Sequence, residues 1–228
     1  MDVNALEQAL REHIADPDFP CVGAKSALAR GSLRIVPAWS MTSAWDDVRL
    51  HHELLKWSRS YDRDPAGLRS LAVVFSGPDD LDEAAFERAM WERLQSLADK
   101  DVWLGQSYDA RVSPEVDDPH FGLSFGKQAY FVVGLHPHAS RPARRMRFPT
   151  LVFNLHDQFE RLRKENRYER MRERILARDE ELAGSTNPML ARYGESSEAR
   201  QYSGRAVDGN WQCPFRDKRI DDHENPAA

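Results

Sequence analysis

The sequence predicts an α+β fold, with a small, at least partly antiparallel sheet of about four strands packed with four to five helices. Three observations lead there. Segments with helical apolar spacing alternate with apolar runs too short to be helices. Two of those runs, 121–125 and 130–135, flank Gly126-Lys127-Gln128, as an antiparallel hairpin would. Charged residues make up 30% of the 228-residue chain, which suits long solvated helices better than an all-β sandwich.

The elements follow in order. Leu6, Leu10 and Ile14 put one apolar face on a helix over 4–14, which Asp16-Pro17-Asp18-Phe19-Pro20 breaks. A short helix over 21–30 stops at Gly31, and a brief strand over 33–36 ends at Pro37. Ser43 caps a helix over 43–61 whose packed face is read as Trp45, Val48, His52, Leu55 and Arg59. The continuous run Leu71-Ala72-Val73-Val74-Phe75 is a buried strand. Phe86, Met90, Leu94 and Leu97 mark a helix over 80–100. A polar loop over 107–120 leads to the hairpin, an irregular arginine-rich loop spans 136–149, and a strand follows over 150–153. A long charged helix over 155–182, with a narrow stripe of Phe159, Leu162, Met171, Ile175 and Leu182, ends at Gly184. Residues 185–215 carry little periodicity and many hydrogen-bonding side chains.

Residues 1–215 are expected to form one domain, and the polar tail 216–228 to be flexible. A hydrophobic fraction of 41% and a mean hydropathy of −0.67 belong to a globular chain. A net charge of −5 argues against a general nucleic-acid binder, which needs a basic surface. The first residues show no signal peptide, and no window approaches the roughly 20 apolar residues of a membrane span. With two cysteines, Cys21 and Cys213, a disulfide framework is not expected. Free thiols in a reducing cytoplasm fit best, the alternative being that the two thiols meet each other. Dinucleotide, P-loop, G-x-S-x-G and H-E-x-x-H patterns are absent, and the spacing of His120, His136 and His138 completes no zinc site.

Four segments can carry chemistry. His136-Pro137-His138 leads directly into a loop bearing Arg141, Arg144, Arg145 and Arg147, whose guanidinium forks suit carboxylates and phosphates. The competing reading is a solvated basic loop. His156 stands at a strand-to-helix junction behind Asn154, as a general base, a metal ligand or a packing residue. Trp211-Gln212-Cys213-Pro214-Phe215 presents a thiol before a proline between aromatics, a setting known for haem thiolates and also for inert buried cysteines. Phe19-Pro20-Cys21 partly mirrors it. The fourth segment runs from Asn187 to Arg205 and includes Glu195 and Glu198.

Eight motifs then carry a resemblance. They are Phe19-Pro20-Cys21, Pro119-His120-Phe121-Gly122, Val133-Gly134-Leu135-His136-Pro137, and Ala139-Ser140-Arg141 with Ala143-Arg144-Arg145. They continue with Val152-Phe153-Asn154-Leu155-His156 with Gln158-Phe159, Asn187-Pro188-Met189-Leu190, Gln201-Tyr202-Ser203-Gly204-Arg205 and Trp211-Gln212-Cys213-Pro214-Phe215. In this order, from about residue 19 to 215, the chain resembles the YqcI/YcgG family. Members include the haem-dependent N-hydroxylase of guanitoxin biosynthesis and the azomycin-forming 2-aminoimidazole N-oxygenase.

The resemblance implies a haem b enzyme that uses O2 or peroxide and an electron donor to oxidise an amine, guanidine or aminoimidazole nitrogen of a small molecule. It makes Arg141, Arg144 and Arg145 candidates for clamping the propionates, and Trp211 and Phe215 candidates for packing on the macrocycle. The axial ligand is sought among Cys213, His136, Cys21 and His156. Cys213 and His136 stand foremost and close together, since thiolate donation promotes O–O cleavage. His156 and His120 are candidate distal acid/base groups, and Glu195, Glu198 and Arg205 candidate substrate contacts. A monomer or a homodimer is compatible with the narrow helical stripe. The rival reading is a non-catalytic haem sensor or carrier, and a third is a cofactor-free interaction domain.

Overall fold

The computed structural model describes residues 1–63 and 67–220. Seven α-helices and a five-stranded mixed sheet form the α+β architecture among these residues, so the sheet and the helix set are both somewhat larger than the sequence suggested. The helices are α1 (Val3–Ala15), α2 (Val22–Ala29), α3 (Asp47–Arg63), α4 (Glu83–Trp103), α5 (His156–Lys164), α6 (Tyr168–Ala183) and α7 (Ala199–Tyr202). The strands are β1 (Leu33–Ala38), β2 (Ser70–Phe75), β3 (Leu123–Phe125), β4 (Gln128–Leu135) and β5 (Thr150–Leu155). No helix among the described residues is long and apolar enough to cross a membrane.

The sheet runs β1-β2-β5-β4-β3. β1 and β2 are parallel, joined by a crossover through α3, and the other neighbours are antiparallel. Side chains alternate across each strand. Leu71, Val73, Phe75, Tyr130, Val132, Leu151 and Phe153 face α3 and α4 in the larger core. Ala72, Val74 and Leu135 face α1 and α2 in the smaller one. β2 is covered on both faces, which is why its sequence is an unbroken apolar run.

β3 is short, and its pairing reaches only as far as Leu123↔Tyr130. Beyond that point α7 takes its place beside β4. The Tyr202 hydroxyl donates to the Tyr130 carbonyl at 3.2 Å, and the Tyr202 ring meets Phe131 edge-on at 5.3 Å. A Cβ at Gly134 would lie 2.7 Å from Phe86 Cε1 and 3.1 Å from the Tyr202 carbonyl. Glycine therefore lets α4 and α7 both close on β4.

Three expectations are corrected. Trp45 and Val48 do not pack: they are 83% and 72% exposed, whereas Leu50, Leu54, Leu55, Ser58 and Tyr61 are buried. Trp45 lies in a 3-10 turn over Ala44–Asp46, and the buried stripe of α3 runs through Asp47, Leu50, His51, Leu54, Ser58 and Tyr61, about one residue away from the expected face. The long charged helix is two helices, broken around Asn166, which adopts a left-handed φ of 55°. The chain after Phe215 is docked rather than loose as far as Ile220. Asp217 and Arg219 are buried, and Arg219 donates to Asp217 Oδ1 (2.7 Å), Asp101 Oδ2 (3.1 Å) and the Ser124 carbonyl (3.2 Å). The rest of the expected tail, 221–228, lies outside the described residues.

Candidate functional site

A cavity of about 300 Å3 lies on the α1–α2 face of the sheet, within the size range of small-molecule sites. Its floor is the strand face formed by Ala72, Val133, Leu135 and Val152, and Met171, Ile175 and Leu176 of α6 roof it. The break before α6 gives that helix a direction of its own. The lining is mostly apolar, with polar groups gathered at two ends.

Cys21, Arg141, Arg144 and Asp179 form one end. Cys21 is the N-cap of α2, and its sulfur accepts the Ala24 amide N–H at 3.4 Å. Burial pushes the thiol up, against the pull of the Ala24 and Gly23 amides and the Arg144 charge. Arg144 Nη1 donates to the carbonyls of Gly134 (2.9 Å) and Tyr202 (3.1 Å), and Nη2 donates to Gln201 (3.0 Å). These bonds tie the free side of β4 to α7. They satisfy donors but supply no full negative charge, and burial lowers Arg144 to about 10 against the opposing pull of Asp179 and Cys21. Arg141 Nη2 donates to Asp179 Oδ2 at 2.5 Å and to the Ser185 carbonyl at 2.9 Å.

Glu198, Arg163, Tyr193, Gln158, Asn154 and Ser70 form the other polar part. Ser70 and Asn154 are cross-strand partners, and the serine hydroxyl donates to Asn154 Oδ1 at 2.7 Å. Gln158 Oε1 accepts the Arg69 amide at 2.7 Å. Glu198 stands at the start of α7, and its Oε2 has no hydrogen-bond partner among the described residues. Burial raises its carboxyl to about 8, with Arg163 opposing and Glu160 adding. Arg163 is held by Glu160 and lies over the rings of Tyr168 and Tyr193, 4.4 and 5.1 Å from their centroids.

Tyr193 also joins the two candidate acid/base histidines. The His156 ring is 4.6 Å from it and the His120 ring 5.3 Å. His156 is buried with Nε2 unpartnered among the described residues, and burial lowers it to about 4, so it is neutral at physiological pH. His120 is exposed and pairs with Asp118 at 3.3 Å.

The other candidates lie elsewhere. His136 follows the cavity-lining Leu135, so strand alternation turns it to the opposite face. There it stacks on Phe86 at 4.3 Å, and burial lowers it to about 4. Cys213, Trp211 and Phe215 also belong to the α4 side, around Trp91. Burial, with Asp117 and Glu87 adding, pushes the Cys213 thiol up to about 12 despite the Phe215 amide. Arg205 is committed to Glu87 there, its Nε donating to Oε2 at 2.9 Å. Arg145 turns away to the carbonyls of Ala139 and Ser140, each at 2.8 Å. Glu195 is exposed and accepts the Arg192 amide at 3.0 Å. The structure thus joins Cys21, Arg141, Arg144 and Glu198, with His156 and His120 behind Tyr193. It does not bring Cys213, His136, Arg145, Trp211, Phe215, Glu195 or Arg205 to them. Both cysteines are free.

Sequence reading missed Asp179, Arg163, Tyr193 and Tyr168. Asp179 left a signal: it continues the four-residue step of Met171 and Ile175, an acid on an apolar stripe. Tyr193 lies in a segment without periodicity and left none.

The family model described as YqcI/YcgG family matches residues 10–216. No curated protein and no solved structure matches the chain.

Proposed function

The chain belongs to the YqcI/YcgG family, and from that premise we propose that it is a haem-dependent N-oxygenase in which Cys21 would hold the iron. The observation that carries this reading is that Cys21 and Arg144, whose charges act on each other, share the lining of a mostly apolar cavity. The donor set fits haem. A sulfur at a helix N-terminus, receiving amide hydrogen bonds, is suited to ligate iron as thiolate, because those donors spread its charge. A deep-set guanidinium bonded to carbonyls favours an anion beside it, whether thiolate or propionate. The apolar floor and the α6 roof offer apolar side chains on which a macrocycle could pack. Cys213 lies on the α4 side of the sheet, where burial raises its thiol and Asp117 and Glu87 add to the rise.

Haem bound in the cavity would activate O2 or peroxide and supply the oxygen atom that passes to an amine, guanidine or aminoimidazole nitrogen. The chain's own groups do the rest. Cys21 would hold the iron, and Arg144 would balance negative charge near it. Arg141, oriented by Asp179, closes the same end. Glu198 and the Ser70–Asn154 pair supply polar contacts at the substrate end. His156, neutral and set behind Tyr193, positions the Tyr193 ring that lines the cavity. The protein works in a reducing cytoplasm, as a monomer or homodimer, with an electron donor and without nucleic acid.

The test is haem titration of the purified chain followed by incubation with a reductant, O2 and a panel of small amines and guanidines. A product one oxygen atom heavier, formed by the haem-loaded wild type and lost in Cys21→Ser, is expected. A chain that binds no haem, or whose Cys21→Ser variant binds and turns over unchanged, defeats the reading.

A further inference from the structure

α6 roofs the cavity without belonging to either core. Its apolar residues Met171, Ile175 and Leu176 are half-buried against the cavity, and neither hydrophobic cluster of the described residues includes them. Asp179, an acid, is the only buried residue of this helix among those described. An apolar stripe that faces a cavity lacks the packed neighbours that hold a core helix. Few buried apolar contacts place α6 among the weakly held parts of the fold. What fastens it is polar and lies toward its C-terminal end. Arg178 donates to the carbonyls of Pro17 and Phe19. Asp179 accepts from Arg141, which also donates to the Ser185 carbonyl at 2.9 Å, just beyond the helix.

The chain after α6 folds back on it. Thr186 donates to Glu180 at 3.2 Å, Arg172 to the Leu190 carbonyl at 3.1 Å, and Arg192 to Glu169 at 3.4 Å. Residues 167–192 therefore hold together as a unit. Asn166, with a φ of 55°, precedes the unit, and Gly194, with a φ of 87°, follows it. The Gly194 amide donates to the Pro119 carbonyl at 3.2 Å, where the fixed chain resumes. A few residues at the ends of an element suffice to absorb a hinge motion. We propose that α6, with the chain as far as Arg192, is a lid on the cavity, turning about Asn166 and Gly194 and latched by Arg178 and by the Arg141–Asp179 pair. The latch partners lie in the turn that leads into Cys21 and in the loop that bears Arg144, so release opens that end of the cavity. Such a lid controls access whatever the cavity holds, and so goes beyond the reading of the cavity as a haem site.

Cys21 lines the cavity and reports its opening, and Cys213, on the α4 side of the sheet, is the control. The full chain, without added haem, is labelled under native conditions with a fluorescein-bearing maleimide. The rate at each cysteine is read by peptide mass spectrometry. Asp179→Asn and Arg178→Met each release one latch, and each is expected to speed labelling of Cys21 by about tenfold while Cys213 keeps its wild-type rate. The two substitutions change the charge of the Cys21 end in opposite senses, so an altered thiolate fraction cannot speed both. A folded variant of either kind that leaves the Cys21 rate unchanged overturns the proposal. Should a variant fail to fold, the wild type in urea well below its unfolding midpoint decides. There Cys21 labelling is expected to rise with urea while Cys213 labelling stays flat, as local opening requires. Rates that stay flat at both cysteines, or rise together, overturn the proposal.

Discussion

Replacing Glu198 by glutamine should make the protein more stable at alkaline pH and change little near pH 5. Burial raises this carboxyl from 4.5 to about 8 in the folded chain. A raised acid means that the folded state holds its proton longer than the unfolded state does. The stability it contributes is therefore complete below the unfolded value and is lost as pH rises through the folded one. Each pH unit of that window is worth about 1.4 kcal/mol, so ionising Glu198 within the fold costs on the order of 4–5 kcal/mol at most. Rearrangement and water reaching the carboxylate reduce this to about 2–3 kcal/mol. Glutamine keeps the shape and does not titrate. Urea unfolding of both proteins at about pH 5, 7 and 9 measures the effect, and the difference between them removes the pH dependence of all other groups. The wild type should fall behind the variant by about 2–3 kcal/mol between the ends of that range. Parallel pH profiles, or a wild type that gains on the variant, would refute the reasoning.

Gly134→Ala should cost about 1–3 kcal/mol in urea unfolding, because its methyl would meet Phe86 Cε1 at 2.7 Å and the Tyr202 carbonyl at 3.1 Å; an unchanged midpoint counts against the close approach. Arg144→Met should cost about 2–3 kcal/mol by stranding the carbonyls of Gly134, Gln201 and Tyr202. Hydrogen exchange should then accelerate around α7 and not in α4, whereas a uniform change would argue that α7 does not hang on this residue. Arg219→Met should destabilise by about 3 kcal/mol, since Asp101 and Asp217 lose a shared buried cation. Full stability in that variant would show that the segment to Ile220 is not part of the folded unit.

The fold was largely legible because its signals are local. The apolar run over Leu71–Phe75 and the Gly126-Lys127 turn each specify one structure. The phase of α3 was not legible, because its buried stripe includes Asp47, His51 and Ser58, polar residues that do not read as a packed face. The break at Asn166 was hidden for a similar reason: neither glycine nor proline marks it, and asparagine tolerates the left-handed turn. The site was legible in pieces. Cys21, Arg141, Arg144 and Glu198 could be singled out by residue type, but which of them meet depends on strand parity. Leu135 and His136 are neighbours in sequence and lie on opposite faces of the sheet. The two thiols look alike in sequence because each neighbours a proline and a phenylalanine, but Cys21 caps α2 and Cys213 packs on the α4 side.

The central claim is that Cys21, at the N-terminus of α2, ligates haem iron in the cavity. The most direct test is the visible spectrum of the haem-loaded chain, reduced under CO, for wild type, Cys21→Ser and Cys213→Ser. Wild type and Cys213→Ser should show the red-shifted Soret band of thiolate ligation, and Cys21→Ser should lose it. A histidine-type band in the wild type, or a thiolate band that persists in Cys21→Ser and disappears in Cys213→Ser, would contradict the account.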